Sequence, residues 1–135
     1  MPIDVEIVSP EKRLLARPVD MVVLPGSEGD LAAMPEHAPT IVLLRGGVVS
    51  LYQNDQVTDR FFVAGGFAEI TPDRCTVLAD SAVPVDSLSR AEGEQRLADA
   101  EQAYEAADKS DVPALEPLLE RIQSARAWVD TAEAG

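Results

Sequence analysis

The chain predicts a β plus α protein. An N-terminal antiparallel β-sandwich of two sheets spans residues 1–84, and a C-terminal antiparallel helical hairpin spans residues 85–135. Three observations predict this. Short apolar or alternating runs follow one another closely from Asp4 to Asp80, with turn residues between them. No ten-residue helical pattern interrupts these runs, which argues against parallel β-α-β units. At "VPVDS" the composition shifts to Ala, Glu, Gln and Arg, residues that favour helix.

"DVEIVS" from Asp4 to Ser9 alternates with the period of a half-buried strand. "DMVVLP", "TIVLL", "GVVSLYQ", "QVTDRFFVAG", "FAEIT" and "CTVLAD" supply six further runs. "QNDQ" between two of them predicts a hairpin. In the second part, Asp86, Ser87 or Ser89 stands where a side-chain oxygen accepts an orphan N–H of a helix opening near Leu88. Leu97, Ala100, Tyr104 and Ala107 share one face at spacings of three and four. "DKSD" ends that helix. Leu115, Leu118, Leu119, Ile122, Ala125 and Val129 then form a second stripe, so two apolar faces turn inward. Pro113 suits a first turn. Pro117 lacks an N–H, so the second helix either begins near Glu116 or kinks there.

Composition narrows the function. Apolar residues make up 46%, enough for a core, while aromatics are only 4%, so that core rests on Val, Leu, Ile and Ala. The formal net charge of −13 argues against nucleic-acid binding and against adsorption to or insertion into anionic lipid. The acidity is spread: residues 1–84 carry −6 and residues 85–135 carry −7, as solvated helix faces do. One cysteine allows no internal disulfide, and the N-terminus has no long apolar stretch, so a soluble intracellular chain is expected.

Catalytic signatures are missing: there is no G-x-S-x-G, no Walker A loop, no G-x-G-x-x-G and no H-E-x-x-H. Cys75 lies in "RCTVLA", where a packing thiol is expected. His37 is the chain's single histidine, and a zinc site needs about four ligands. The sequence therefore predicts no catalytic residues, no metal and a non-enzymatic role. "GSEGDLAAMPEHAPTIV" (26–42) is read as a stiff acidic loop at one end of the sandwich, with Pro35 and Pro39 holding Met34 and Ala38 extended.

"LPGSEGDLAAMPEHAPTIVLLRGGVV", "FFVAGGFAEITPDRCTVLADSAV" and "SRAEGEQRLADAE" closely resemble the epsilon subunit of the F-type ATP synthase, in order and over essentially the whole chain. In that family a two-sheet sandwich precedes a helix-turn-helix. The resemblance implies a rotor subunit of the central stalk that couples proton-driven rotation of the c ring through gamma to ATP synthesis. It implies gamma and the c ring as partners, with the alpha and beta subunits as further neighbours, at the cytoplasmic face of a bacterial inner membrane. By the match to the family's "GSEGEL…PGHAP" segment, Glu28, Gly29, Asp30 and His37 would meet the polar loops of the c ring. By the match of "VAGGFAE" to the family's "SGG" segment, Ala64, Gly65, Gly66 and Phe67 would face gamma, the glycines admitting a neighbour's backbone.

Some members bind ATP between the helices through [IL]-D-x-x-R-A plus arginines on the second helix. Here "VDSLSRA" keeps Arg90 and Ala91, but Ser87 stands three places before Arg90 where the motif has Asp. Ser124 and Trp128 occupy the places of the family's arginines. The resemblance thus implies no resident cofactor, with an ATP-sensing hairpin as the alternative reading. Some members also extend the hairpin beside gamma and block hydrolysis, using basic residues on the second helix. Arg121 and Arg126 against Glu116, Glu120, Asp130 and Glu133 predict weak inhibition or none.

Overall fold

The computed structural model describes residues 2–134. Ten strands come first: β1 (Ile3–Val8), β2 (Arg13–Val19), β3 (Met21–Gly26), β4 (Gly29–Ala33), β5 (Thr40–Leu44), β6 (Gly47–Gln53), β7 (Gln56–Val63), β8 (Gly66–Ile70), β9 (Arg74–Ala79) and β10 (Ala82–Pro84). A 3₁₀ turn at Val85–Ser87 leads into α1 (Arg90–Ala106) and α2 (Val112–Ala134). The expected sandwich and hairpin are both present.

The strands lie in the order β10-β7-β6-β3-β5-β8-β9-β1-β2, with β4 on the other side of β3. The step from β3 to β5 rests on one pair, Gly26 and Leu44. The two layers are therefore one sheet folded over at that corner. Alternation explains the core. Ile3, Val5 and Ile7 of β1, Val22 and Leu24 of β3, Val49 and Leu51 of β6, and Cys75 and Val77 of β9 point into it. Each fully buried side chain of this kind is worth roughly 1.5–3 kcal/mol.

The pairing departs from expectation in one place: β1 runs parallel to β9, Val5 opposite Cys75. Three strands were also not foreseen. β2 reads "RLLARPV", with Pro18 and two arginines, because it is an edge strand whose outer side must resist pairing. β4 lies inside the segment expected to be a loop, and β10 is three residues long. The turn Asn54–Asp55 has positive φ at both residues, as a two-residue hairpin joining β6 to β7 requires.

Ser89 is the cap of α1: its Oγ accepts the N–H of Glu92 at 3.2 Å. Of the two alternatives for α2, the helix does not begin near Glu116: it starts at Val112, with Pro113 in its first turn and Pro117 inside it. The apolar stripes are partly as anticipated. Ala100, Ile122 and Ala125 are buried, but Leu119 faces outward, half exposed, and Trp128, outside the expected stripe, is buried as well.

Candidate partner-binding surfaces

The β3–β4 hairpin closes with a two-residue turn at Ser27–Glu28, since Gly26 pairs with Gly29, and it places Glu28, Gly29 and Asp30 together at its exposed tip. Asp30 is not free there. Its Oδ1 accepts a bond from Nη2 of Arg45 at 2.7 Å, while Nη1 of Arg45 donates to the carbonyl of Gly26 at 2.6 Å. That clamp ties the turn to the end of β5. His37 lies at the opposite end of β4, in the Met34–Pro39 connection, with Nδ1 2.7 Å from the carbonyl of Ala38. Next to it, Glu36 takes a left-handed φ of 71°, and its N–H bonds to the carbonyl of Pro72 at 2.6 Å. A five-residue strand spans about 16 Å, so the four residues assigned to the c ring divide between two ends of the sandwich.

Ala64 and Gly65 form the turn between β7 and β8, and Gly66 and Phe67 open β8. The glycine pair has an internal cause. Gly66 has φ 114°, and a Cβ there would lie 2.2 Å from the carbonyl oxygen of Leu78. The close neighbour is the chain's own β9. Ala64 faces α2, whose Ser124 hydroxyl donates to its carbonyl at 3.2 Å. Ala64, Gly65 and Gly66 thus line a groove of about 490 Å³ beneath the hairpin. Phe67 alone points away, onto the outer face of the sheet.

That outer face carries the feature sequence reasoning missed. Register places Leu43, Phe67 and Leu78 side by side across β5, β8 and β9. Ile41 lies two residues along β5 from Leu43. Ile41 and Leu43 are 65% and 66% exposed, Phe67 39% and Leu78 36%. Val8, paired with Leu78, extends the row to β1. A signal was available: "TIVLL" has no polar alternation, so a strand there must present apolar side chains on both faces.

Arg90 and Ala91 open α1. Arg90 is held by Glu94 at 3.0 Å and by Glu133 at 2.8 Å. The cleft between the helices and the sandwich is lined instead by Arg96, Asp99, Arg121, Asp80 and Trp128, and it does not include Arg90. Cys75 is fully buried, and burial pushes its thiol from 9.0 up to about 12. Among the described residues no group of His, Cys, Asp and Glu is placed to hold a metal. No helix there is long and apolar enough to cross a membrane.

Residues 2–85 match the family described as ATP synthase, Delta/Epsilon chain, beta-sandwich domain. The chain belongs to the ATP synthase epsilon family. It is 65% identical over 127 residues to the ATP synthase epsilon chain of Granulibacter bethesdensis, covering 94% of both chains. It is 58% identical over 132 residues to that of Gluconacetobacter diazotrophicus, covering 98% of this chain and 94% of the relative. The fold is shared with a chain of the Euglena gracilis mitochondrial ATP synthase, with TM-score 0.71 and 19% identity over 93% of this chain and 80% of that one. A chain of the Tetrahymena thermophila mitochondrial ATP synthase central stalk and c-ring structure gives TM-score 0.66 and 12% identity, over 98% and 97%. Membership of the epsilon family makes this a non-catalytic subunit, in keeping with a sequence that lacks catalytic motifs.

Proposed function

We propose that the chain is a mechanical coupling piece of the ATP synthase central stalk, carrying rotation between the c ring and gamma at the cytoplasmic face of a bacterial membrane. The observation that carries this reading is the outer apolar row of Ile41, Leu43, Phe67 and Leu78. A contiguous exposed apolar patch on an otherwise acidic chain marks a protein contact. We assign that face to gamma, with Phe67 its member from the sequence-derived set. The hairpin tip at Glu28–Asp30 is the polar contact assigned to the c ring. It is braced by Arg45, so it offers a fixed carboxylate surface. His37, at the other end of β4, is the fourth residue assigned to that contact, about one strand length away. Arg90 is already engaged by two carboxylates, which favours operation without nucleotide.

Co-purification of the tagged chain with gamma and with the c ring tests the assignment. Recovery of both supports it, and recovery of neither ends it. Calorimetry with Mg-ATP tests the nucleotide point: no heat of binding at millimolar ATP is expected, and saturable binding would overturn that part alone.

A further inference from the structure

The hairpin meets the sandwich through one face of α2. Ser124 and Trp128 are four residues apart and so project from the same side of the helix. Each sits over a glycine. A Cβ at Gly46 would lie 2.5 Å from the Cα of Ser124 and 2.6 Å from its Oγ. A Cβ at Gly93 would lie 2.4 Å from Cδ1 of Trp128 and 3.0 Å from Nε1. Neither glycine is among those with positive φ, so what each site needs is the missing side chain. Gly93 lies within α1, where glycine is a poorer helix former than alanine.

Polar bonds hold the same face. The N–H of Gly46 donates to Oε1 of Gln123 at 2.9 Å, and Nε2 of Gln123 donates back to the carbonyl of Gly46 at 2.8 Å. The amide thus pairs with the backbone as a neighbouring strand would. Ser124 donates to Ala64, as described above. The indole N–H of Trp128 donates to the carbonyl of Ser89, the residue capping α1, at 2.7 Å. The guanidinium of Arg96 lies 4.3 Å from the centroid of the indole. Phe62 meets it edge-on from β7 at 5.4 Å. Trp128 is only 2% exposed.

We infer that Gln123, Ser124 and Trp128 form a latch that holds the helical hairpin closed on the sandwich without any ligand, keyed by Gly46 and Gly93. Trp128 joins three units at once: α2 carries it, α1 receives it at Ser89, Gly93 and Arg96, and the sandwich meets it at Phe62. Unzipping α2 from α1 loses the Gly93 socket and the Ser89 bond. Lifting the hairpin as a body loses Phe62, the paired amide of Gln123 and the Ser124 bond. Either motion breaks part of the latch. Every group that closes it belongs to the chain, so closure requires no nucleotide. This goes beyond the coupling role and stands whether or not gamma binds the apolar row.

Trp128 is the single tryptophan, so its emission in the intact chain reports the latch directly. The wild-type chain is expected to show a buried, poorly quenched indole, unchanged by Mg-ATP. Gly93→Val should shift the emission to the red and raise acrylamide quenching several-fold, while the amides of Val22, Val49 and Val77 stay protected from exchange. Gln123→Ala adds no bulk and should speed exchange of the α2 amides about tenfold. Three results would overturn the inference: a wild-type indole as freely quenched as an exposed one, Gly93→Val with wild-type emission and quenching, or Gln123→Ala with unchanged α2 exchange. Should Gly93→Val lose the sandwich protection as well, Gln123→Ala alone decides.

Discussion

Cys75 and Asp59 show what single residues do in this fold. Cys75 is a packing thiol in the middle of β9, and burial alone raises it to about 12. The sign follows from which state ionises. Between the ordinary value of 9.0 and 12, the unfolded thiol loses its proton while the folded one keeps it, so stability is full below pH 9 and falls as pH rises. Iodoacetamide at pH 8 should therefore leave the native chain unmodified and alkylate it fully in urea; fast native labelling would contradict the burial. Asp59 is different. One of its carboxylate oxygens is buried without a well-aligned hydrogen bond, and the guanidinium of Arg17 is the charge beside it. Arg17 also donates to Thr58 at 2.8 Å, so it joins edge strand β2 to β7. Arg17→Leu should cost about 1–2 kcal/mol in urea unfolding, modest because Arg17 is itself partly exposed. The inert role of Cys75 was legible, since an apolar context predicts it. The Arg17–Asp59 pair was not, because a contact over more than forty residues leaves no local pattern.

Among elements, the hairpin was more legible than the strands that flank the corner. Its stripes and its cap candidates were visible because helix periodicity and capping are local properties. Ser89 does the capping, and Ser89→Ala should lower the stability of α1 by about 1 kcal/mol, seen as faster amide exchange in its first turn with the sandwich unaffected. The break "DKSD" is a built turn. The carboxylate of Asp108 accepts from the N–H of Ser110 at 2.9 Å and from its hydroxyl at 2.6 Å. Lys109 covers the last carbonyls of α1, donating to Glu105 at 3.3 Å and Ala107 at 3.0 Å. The Ser110 bonds lower the pKa of Asp108 below its ordinary 3.8. Their contribution is present above 3.8 and lost as pH falls through the lower folded value. The amide resonance of Ser110 should accordingly titrate with a midpoint under 3.8; a midpoint at or above it would mean the turn is not formed. β4 was hidden because Gly, Asp and Ala have weak strand propensity, and its pairing with β3 overrides that preference. The consequence reaches the proposed contacts. Treating residues 26–42 as one loop merged Glu28 and His37, which a strand in fact separates.

At the scale of the molecule, the sandwich presents two different surfaces. One flank of the sheet is covered by the hairpin, where Phe62 meets Trp128. The other leaves Leu43, Phe67 and Leu78 open. Family and fold class were legible from motifs spread over the whole chain. Of the apolar row only the β5 part was, in the unalternating "TIVLL"; the row itself exists only once β5, β8 and β9 come into register. The most direct test of the coupling role is a titration of gamma with the intact chain, comparing wild type with Leu43→Asp and Phe67→Asp. Those exposed positions should tolerate the change without unfolding. Saturable binding by the wild type, weakened at least about tenfold by either substitution, is the result expected. No association of the wild-type chain, or wild-type affinity in both variants, would contradict it.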